Sequence, residues 1–239
     1  MKWPILVLMA GMLLGCRGQG TPNEAAFKSD MPVTPMSSPS SRGSADFRLR
    51  GNDMEKINLS MPFYAQAPDG DWSLPWQEAC EEASVTLAYY GATGKSLTRD
   101  QFRAELLKII DWENLHFGDY KHTNVAQTAQ ILKGYYGYKD FAILNDPTVA
   151  DLKVELAQGH LIIAPFAGRE LGNPFYSGIG PLYHMMVLKG YDGTHFITND
   201  VGTRRGENFI YPYATIISAL HEWNDGDIDS GAKKVIVMH

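Results

Sequence analysis

Apolar positions along the chain fall into three regimes. They run almost unbroken from Ile5 to Leu14, nearly vanish from Arg17 to about Gly51, and from Met61 onward recur at spacings that predict secondary structure. Helical spacings come first in the third regime. Trp76 to Tyr90 predicts a helix, with Pro75 near its first turn and Gly91 just past its end. Cys80, Ala83, Leu87 and Tyr90 share one face of it. Thr98-Arg99-Asp100-Gln101 is a capping box, opening a second helix whose Phe102, Leu106, Ile109 and Ile110 form the inward stripe. Asn124 to Gln127 and Thr148 to Asp151 start two further helices, the last stopped by Gly159.

The pattern then changes. His160 to Phe166 is a short, nearly continuous apolar run. Tyr183 to Leu188 and His195 to Thr198 read as two strands joined through Asp192-Gly193, a dipeptide suited to a hairpin. Phe209 to Tyr211 and Lys234 to Met238 add strands, with a helix from about Ala214 to Trp223 between them. Helices followed by a mainly antiparallel sheet predict an α+β fold.

The first two regimes lie outside this domain, which is expected to span residues 52–239. Met1-Lys2, the apolar run and Leu13-Leu14-Gly15-Cys16 resemble a bacterial lipoprotein signal peptide, cut before a Cys16 that takes the lipid. The run is too short to span a bilayer as a mature helix. Residues 17–51, rich in Ser, Pro, Gly and Thr, read as a flexible tether with a reach on the order of 30 Å. The expected location is extracytoplasmic, through a membrane lipid anchor or as a secreted protein.

Charge sharpens the picture. Residues 1–50 carry six Lys/Arg against three Asp/Glu, and residues 51–239 carry 15 against 24. So acidic a domain, with no basic stripe interleaved with aromatics, argues against a nucleic-acid partner. Two cysteines, Cys16 and Cys80, without a C-x-x-C pair, support neither a disulfide framework nor a thiolate zinc site. His116 and His122 sit in a loop pattern without H-E-x-x-H, so no metal is expected. Gly91 to Ser96 echoes the end of a phosphate-binding loop, but Tyr89 stands where that motif needs glycine and a helix precedes it.

Cys80 is then the thiol to consider. It lies early in a helix, where unpaired N–H groups and the dipole favour a thiolate. His184 begins an apolar strand able to hold an imidazole rigidly. Asn199 and Asp200 lie across the hairpin from it, pointing to opposite faces, so at most one can orient the ring. A lone Cys on an apolar helix face is usually a small, packed core residue.

At these residues the chain resembles the papain-like peptidases of cysteine peptidase family thirty-nine, the bacteriocin-processing type, and particularly their stand-alone relatives. The resemblance rests on Pro62-Phe-Tyr-Ala-Gln66, Ala79-Cys80-Glu-Glu-Ala-Ser84, Tyr183-His184-Met185, and Ile197-Thr-Asn-Asp200-Val-Gly-Thr-Arg-Arg-Gly206. It implies a papain-like fold, Cys80 as nucleophile, His184 as general base and Asp200 as the group holding the imidazolium, with Asn199 second choice. Gln66 is implied as side-chain oxyanion donor beside the Cys80 N–H, with Gln77 the alternate. The chemistry so implied is acyl-enzyme cleavage of peptide bonds without metal or organic cofactor. Peptides, proteins and cell-wall cross-links are all admissible substrates. A catalytically silent binding module and an acyl or amide transferase are the alternatives on the same fold.

The chain departs from many relatives in following the Cys with Glu81-Glu82 rather than small residues. Carboxylates there oppose the helix dipole. Arg204 and Arg205 are expected to pair with them across the cleft, to bind an acidic substrate, or to remain solvated surface charge. The glycine-rich run Gly168 to Gly180 is either a loop that closes over substrate or a plain connection. Leader specificity of transporter-fused relatives is not implied, since no transporter segments are found in this sequence.

Overall fold

The computed structural model describes residues 56–239. The expected signal segment, Cys16 and the tether lie outside the described residues. In chain order the elements are β1 (Ile57–Asn58), α1 (Cys80–Thr93), α2 (Arg99–His116), α3 (Val125–Gln130), β2 (Phe141–Asn145), α4 (Val149–Ala157), β3 (Leu161–Ala167), β4 (Tyr183–Tyr191), β5 (His195–Asn199), β6 (Phe209–Pro212), α5 (Tyr213–Ala219) and β7 (Lys234–Met238). The strands form one antiparallel sheet ordered β2-β7-β3-β4-β5-β6, with β1 added against β4. This is an α+β architecture, with helices on both faces of the sheet rather than segregated to one.

Alternate residues of β4 explain the layering. Met185 and Val187 pack with Leu87, Phe102, Ile109 and Leu132 from the α1–α3 side, while Met186 and Leu188 pack with Leu152, Leu156 and Ile216 of α4 and α5. Burial on both faces makes β3 and β4 continuous apolar runs rather than alternating ones.

Helices α2, α3 and α4 each begin with a complete capping box, at Thr98/Gln101, Asn124/Gln127 and Thr148/Asp151. The first helix differs from its sequence pattern. Residues 76–78 form a 3₁₀ turn, Ala79 breaks it, and α1 starts at Cys80 and runs to Thr93, with Gly94 as the left-handed cap at φ 64°. Gly91 lies within the helix rather than past its end, at a close approach where a Cβ would meet Met61 Cβ at 2.7 Å and Leu161 Cδ1 at 2.8 Å. The phosphate-loop echo is thus a helix end. Nor is α1 amphipathic: every residue from Cys80 to Ala88 is buried, including Glu81 and Glu82, while Tyr90 is half-buried. A central helix has no solvent face. The last helix is shorter than its pattern, because Leu220 leaves the helix to bridge Phe166 of β3.

The β4–β5 hairpin closes through Asp192, whose Oδ1 accepts the N–H groups of Thr194 and His195 at 2.8 Å each. Further along, the register shifts by one residue: Gly190 faces Ile197, Leu188 faces Thr198, and Lys189 is the extra residue. Gly190 admits β1, since a Cβ there would lie 2.1 Å from Ile57 O.

Candidate active site

Gln66 is fastened to the turn that precedes α1. Its buried Nε2 donates to the carbonyls of Trp76 (2.9 Å) and Gln77 (3.0 Å). Trp76 O is the acceptor that a continuous helix would offer to the Cys80 N–H. Cys80 therefore stands in the first helical turn, where N–H groups lack intrahelical acceptors, and Ala79 provides no side-chain cap. The Gln66 Oε1 is buried without a partner. Gln77 is exposed on the 3₁₀ turn and lines the same cleft.

His184, the second residue of β4, is buried opposite Phe166. Its Nε2 lies 2.8 Å from Asp200 Oδ1, so that nitrogen carries the proton and Nδ1 is left for other work. Asp200 is fully buried and takes four further hydrogen bonds. They come from Gly202 N–H (2.9 Å) on Oδ1, and from Asn173 Nδ2 (2.9 Å), Tyr176 Oη (2.8 Å) and Tyr211 Oη (2.6 Å) on Oδ2. Burial alone would raise its pKa; the His184 charge and these hydrogen bonds outweigh that and hold it down at about 2. The same environment, burial first and the Asp200 charge second, pushes the Tyr176 and Tyr211 hydroxyls up. Gly202 admits the arrangement, because a Cβ there would fall 2.9 Å from both His184 Cε1 and Tyr176 Cε1.

Asn199 points elsewhere. Its Nδ2 donates to Pro62 O (3.3 Å) and its Oδ1 accepts from Asn208 N (3.2 Å), fastening the opening segment to the sheet.

The thiol does not hydrogen-bond the imidazole. Cys80 Sγ donates to Glu81 Oε2 at 2.9 Å, and Glu81 Oε1 accepts the Thr123 N–H at 3.1 Å. Burial, then the Glu81 and Glu82 charges, raise the thiol pKa well above its ordinary value. Burial likewise lifts Glu81 to about 7. Behind it, burial and the Glu113 charge push Glu82 well up, and burial lifts Glu113 to about 8. The two carboxyls interact with each other, and no other side chain or backbone group hydrogen-bonds them among the described residues. The glutamates after Cys80 are thus neither surface charges nor partners of Arg204 and Arg205. They lie inside the fold, and among the described residues no lysine or arginine forms an ion pair with either.

Cys80, His184, Gln66 and Gln77 line one cleft of about 940 Å³. Tyr176, Phe175 and Leu182 from the segment before β4 form one wall, and Gly202 to Arg205 follow Asp200 on another. The glycine-rich segment is not a free flap: Asn173 and Tyr176 anchor it to Asp200. Neither residue drew attention in the sequence, although both precede His184 within the Asn173-Pro-Phe-Tyr176 step, whose polar groups were the available signal. His122 also lines the cleft, with φ 57°, stacked on Trp223 (4.1 Å) and 3.8 Å from Glu78. His116 is apart from it, stacked on Trp112. Among the described residues one group has metal-ligand spacing, Glu155, His160 and His239. It lies outside the cleft, and His160 Nδ1 already bonds Glu155 at 2.8 Å.

A solved structure described as a candidate C39-like peptidase from Bacillus anthracis superimposes with a TM-score of 0.54 at 16% identity, covering 77% of this chain and 98% of that one. No curated protein matches the sequence. The profile of the Peptidase_C39 like family matches residues 58–225, a span that runs from the opening strand past Asp200 and holds every residue of the cleft. The chain belongs to the Peptidase_C39 like family.

Proposed function

We propose that the chain is an extracytoplasmic thiol peptidase in which Cys80, His184 and Asp200 act together. The observation that carries this is the 2.8 Å bond from His184 Nε2 to a deeply buried, ionised Asp200, at the edge of a cleft that Cys80 also lines. In the reaction, His184 Nδ1 takes the thiol proton, the thiolate attacks the peptide carbonyl, and the imidazolium returns the proton to the leaving amine. Water then releases the acyl group. The oxyanion faces the Cys80 N–H, with Gln66 Nε2 as second donor once it releases one carbonyl, or Gln77 in its place. Substrates are peptides or proteins, cell-wall peptides among them. Export and lipid attachment at Cys16 rest on the Met1–Cys16 sequence alone.

Iodoacetamide alkylation of the Cys80 peptide, followed by mass spectrometry from pH 5 to 9, tests this reading. Burial and the Glu81 charge hold the resting thiol above its ordinary range, so fast alkylation below about pH 7, lost in His184→Ala, is expected only of a thiol whose proton the imidazole takes; a free cysteine titrates near 8.5. A slow reaction unaltered by the substitution would leave a silent binding module.

A further inference from the structure

The sequence from residue 51 holds five arginines. Arg99 and Arg103 both engage Asp69, at 4.0 and 3.3 Å. The other three, Arg169, Arg204 and Arg205, all line the cleft of Cys80 and His184, and among the described residues none makes an ion pair. They come from two places: Arg169 just after β3, and Arg204 and Arg205 on the loop that follows Asp200. Arg205 lies 4.8 Å over the Phe175 ring. Arg204 Nη1 stands against the turn at Gly70, 3.5 Å from where a Cβ would be. The acidic side chain lining the cleft, Glu78, faces His122. In a domain with 24 acidic against 15 basic residues, gathering every unpaired guanidinium into one cavity opposes the overall field.

Three like charges in one cavity repel one another, and a bound anion relieves that repulsion. Guanidinium groups favour carboxylates in bidentate geometry. Exposed Trp72, Phe175 and Leu182 on the rim offer apolar contact beside them. We propose that the cleft selects peptide segments bearing carboxylate side chains next to apolar ones, held by Arg169, Arg204 and Arg205. This rests on the reading above only in taking a peptide as the occupant.

The test uses the full chain carrying Cys80→Ala and two fluorescein-labelled decapeptides of equal length and apolar content, one with Asp and Glu, the other with Asn and Gln. Fluorescence anisotropy is expected to show the acidic peptide bound at least about tenfold more tightly at low salt, with the gap narrowing as salt rises. Arg169→Gln, Arg204→Gln and Arg205→Gln together are expected to abolish the preference. Equal affinities, no binding of either peptide, or a preference that survives the triple substitution would overturn the proposal. Tighter binding of inorganic polyphosphate than of the acidic peptide would overturn it too, in favour of a polyanion groove. Alkylation of Cys80 in the otherwise native chain separates the two readings. Acid-selective binding without a His184-dependent thiol sinks the peptidase and leaves the cleft specificity standing; an activated thiol without acid selectivity does the reverse.

Discussion

Asp200 shares a face of the sheet with His184 because Lys189 is an extra residue in β4. Continuing the observed pairing of Val187 with Asn199 sets Asp200 opposite Met186, two residues from His184 and on its side. Without the bulge the register would move by one, Asp200 would face Val187, and Asn199 would take the side of His184. A one-residue irregularity thus decides between the two candidates left open by the hairpin spacing.

Asp200→Asn removes the charge that stabilises an imidazolium while keeping the shape of the side chain. Peptide turnover is expected to fall on the order of 10⁴-fold in kcat, by analogy with the loss of the orienting carboxylate in other triads. Because the folded Asp200 pKa is depressed to about 2, its contribution to stability is present above its unfolded pKa near 3.9 and disappears as pH falls through 2. Thermal unfolding from pH 5 to 2 is expected to show the wild type losing about 2 kcal/mol relative to the variant. A constant difference would remove this carboxylate as the acid-sensitive group.

Glu81→Gln takes away the charge beside the thiol. Burial remains, but the alkylation profile of Cys80 is expected to move to lower pH as the second cause of its raised pKa is lost. An unchanged or higher midpoint would show that Glu81 acts as acceptor for the thiol proton rather than as an opposing charge.

Glu82 and Glu113 predict the opposite pH dependence to Asp200. Both folded pKa values are raised, that of Glu113 to about 8, so the stability Glu113 contributes is complete below the unfolded value near 4.3 and is lost as pH rises towards 8, with Glu82 acting in the same direction. The free energy of unfolding is expected to fall between pH 5 and 9, and Glu113→Gln to reduce that fall by a few kcal/mol. A variant with the same slope as the wild type would exclude the pair as its source.

Gly202→Ala places a methyl group against His184 Cε1 and Tyr176. Turnover is expected to drop at least tenfold with little loss of melting temperature, since the clash is local and the imidazole is the part that must move. Histidine ring NMR is the accompanying measurement; an unshifted His184 signal would contradict the mechanism.

Local signals in this chain read true. The boxes at Thr98, Asn124 and Thr148 are self-contained, so the helices that follow them start where their caps do. Strands β3, β4, β5, β6 and β7 fall within a few residues of their apolar runs. What depended on distant partners was not legible. Phe141–Asn145 is a strand because Lys234–Met238 lies beside it, and Ile57–Asn58 because Gly190 leaves room. The burial of Glu81 and Glu82 was not legible either, because ionised carboxylates are rarely interior, and only the surroundings of α1 raise their pKa values enough to keep them there. Asn173, Tyr176 and Tyr211 converge on Asp200 from two separate segments, a geometry no spacing rule encodes.

The choice of starting point for α1 reaches beyond architecture. Gln66 occupies the carbonyl that would recruit the Cys80 amide into a longer helix. A helix nucleating one turn earlier would bury that amide hydrogen in its own ladder, and the sulfur would sit on a finished cylinder with no donor beside it. A glutamine fourteen residues upstream of the thiol thus holds the end of the turn before the helix, and in the proposed mechanism the same side-chain amide would meet an incoming carbonyl oxygen.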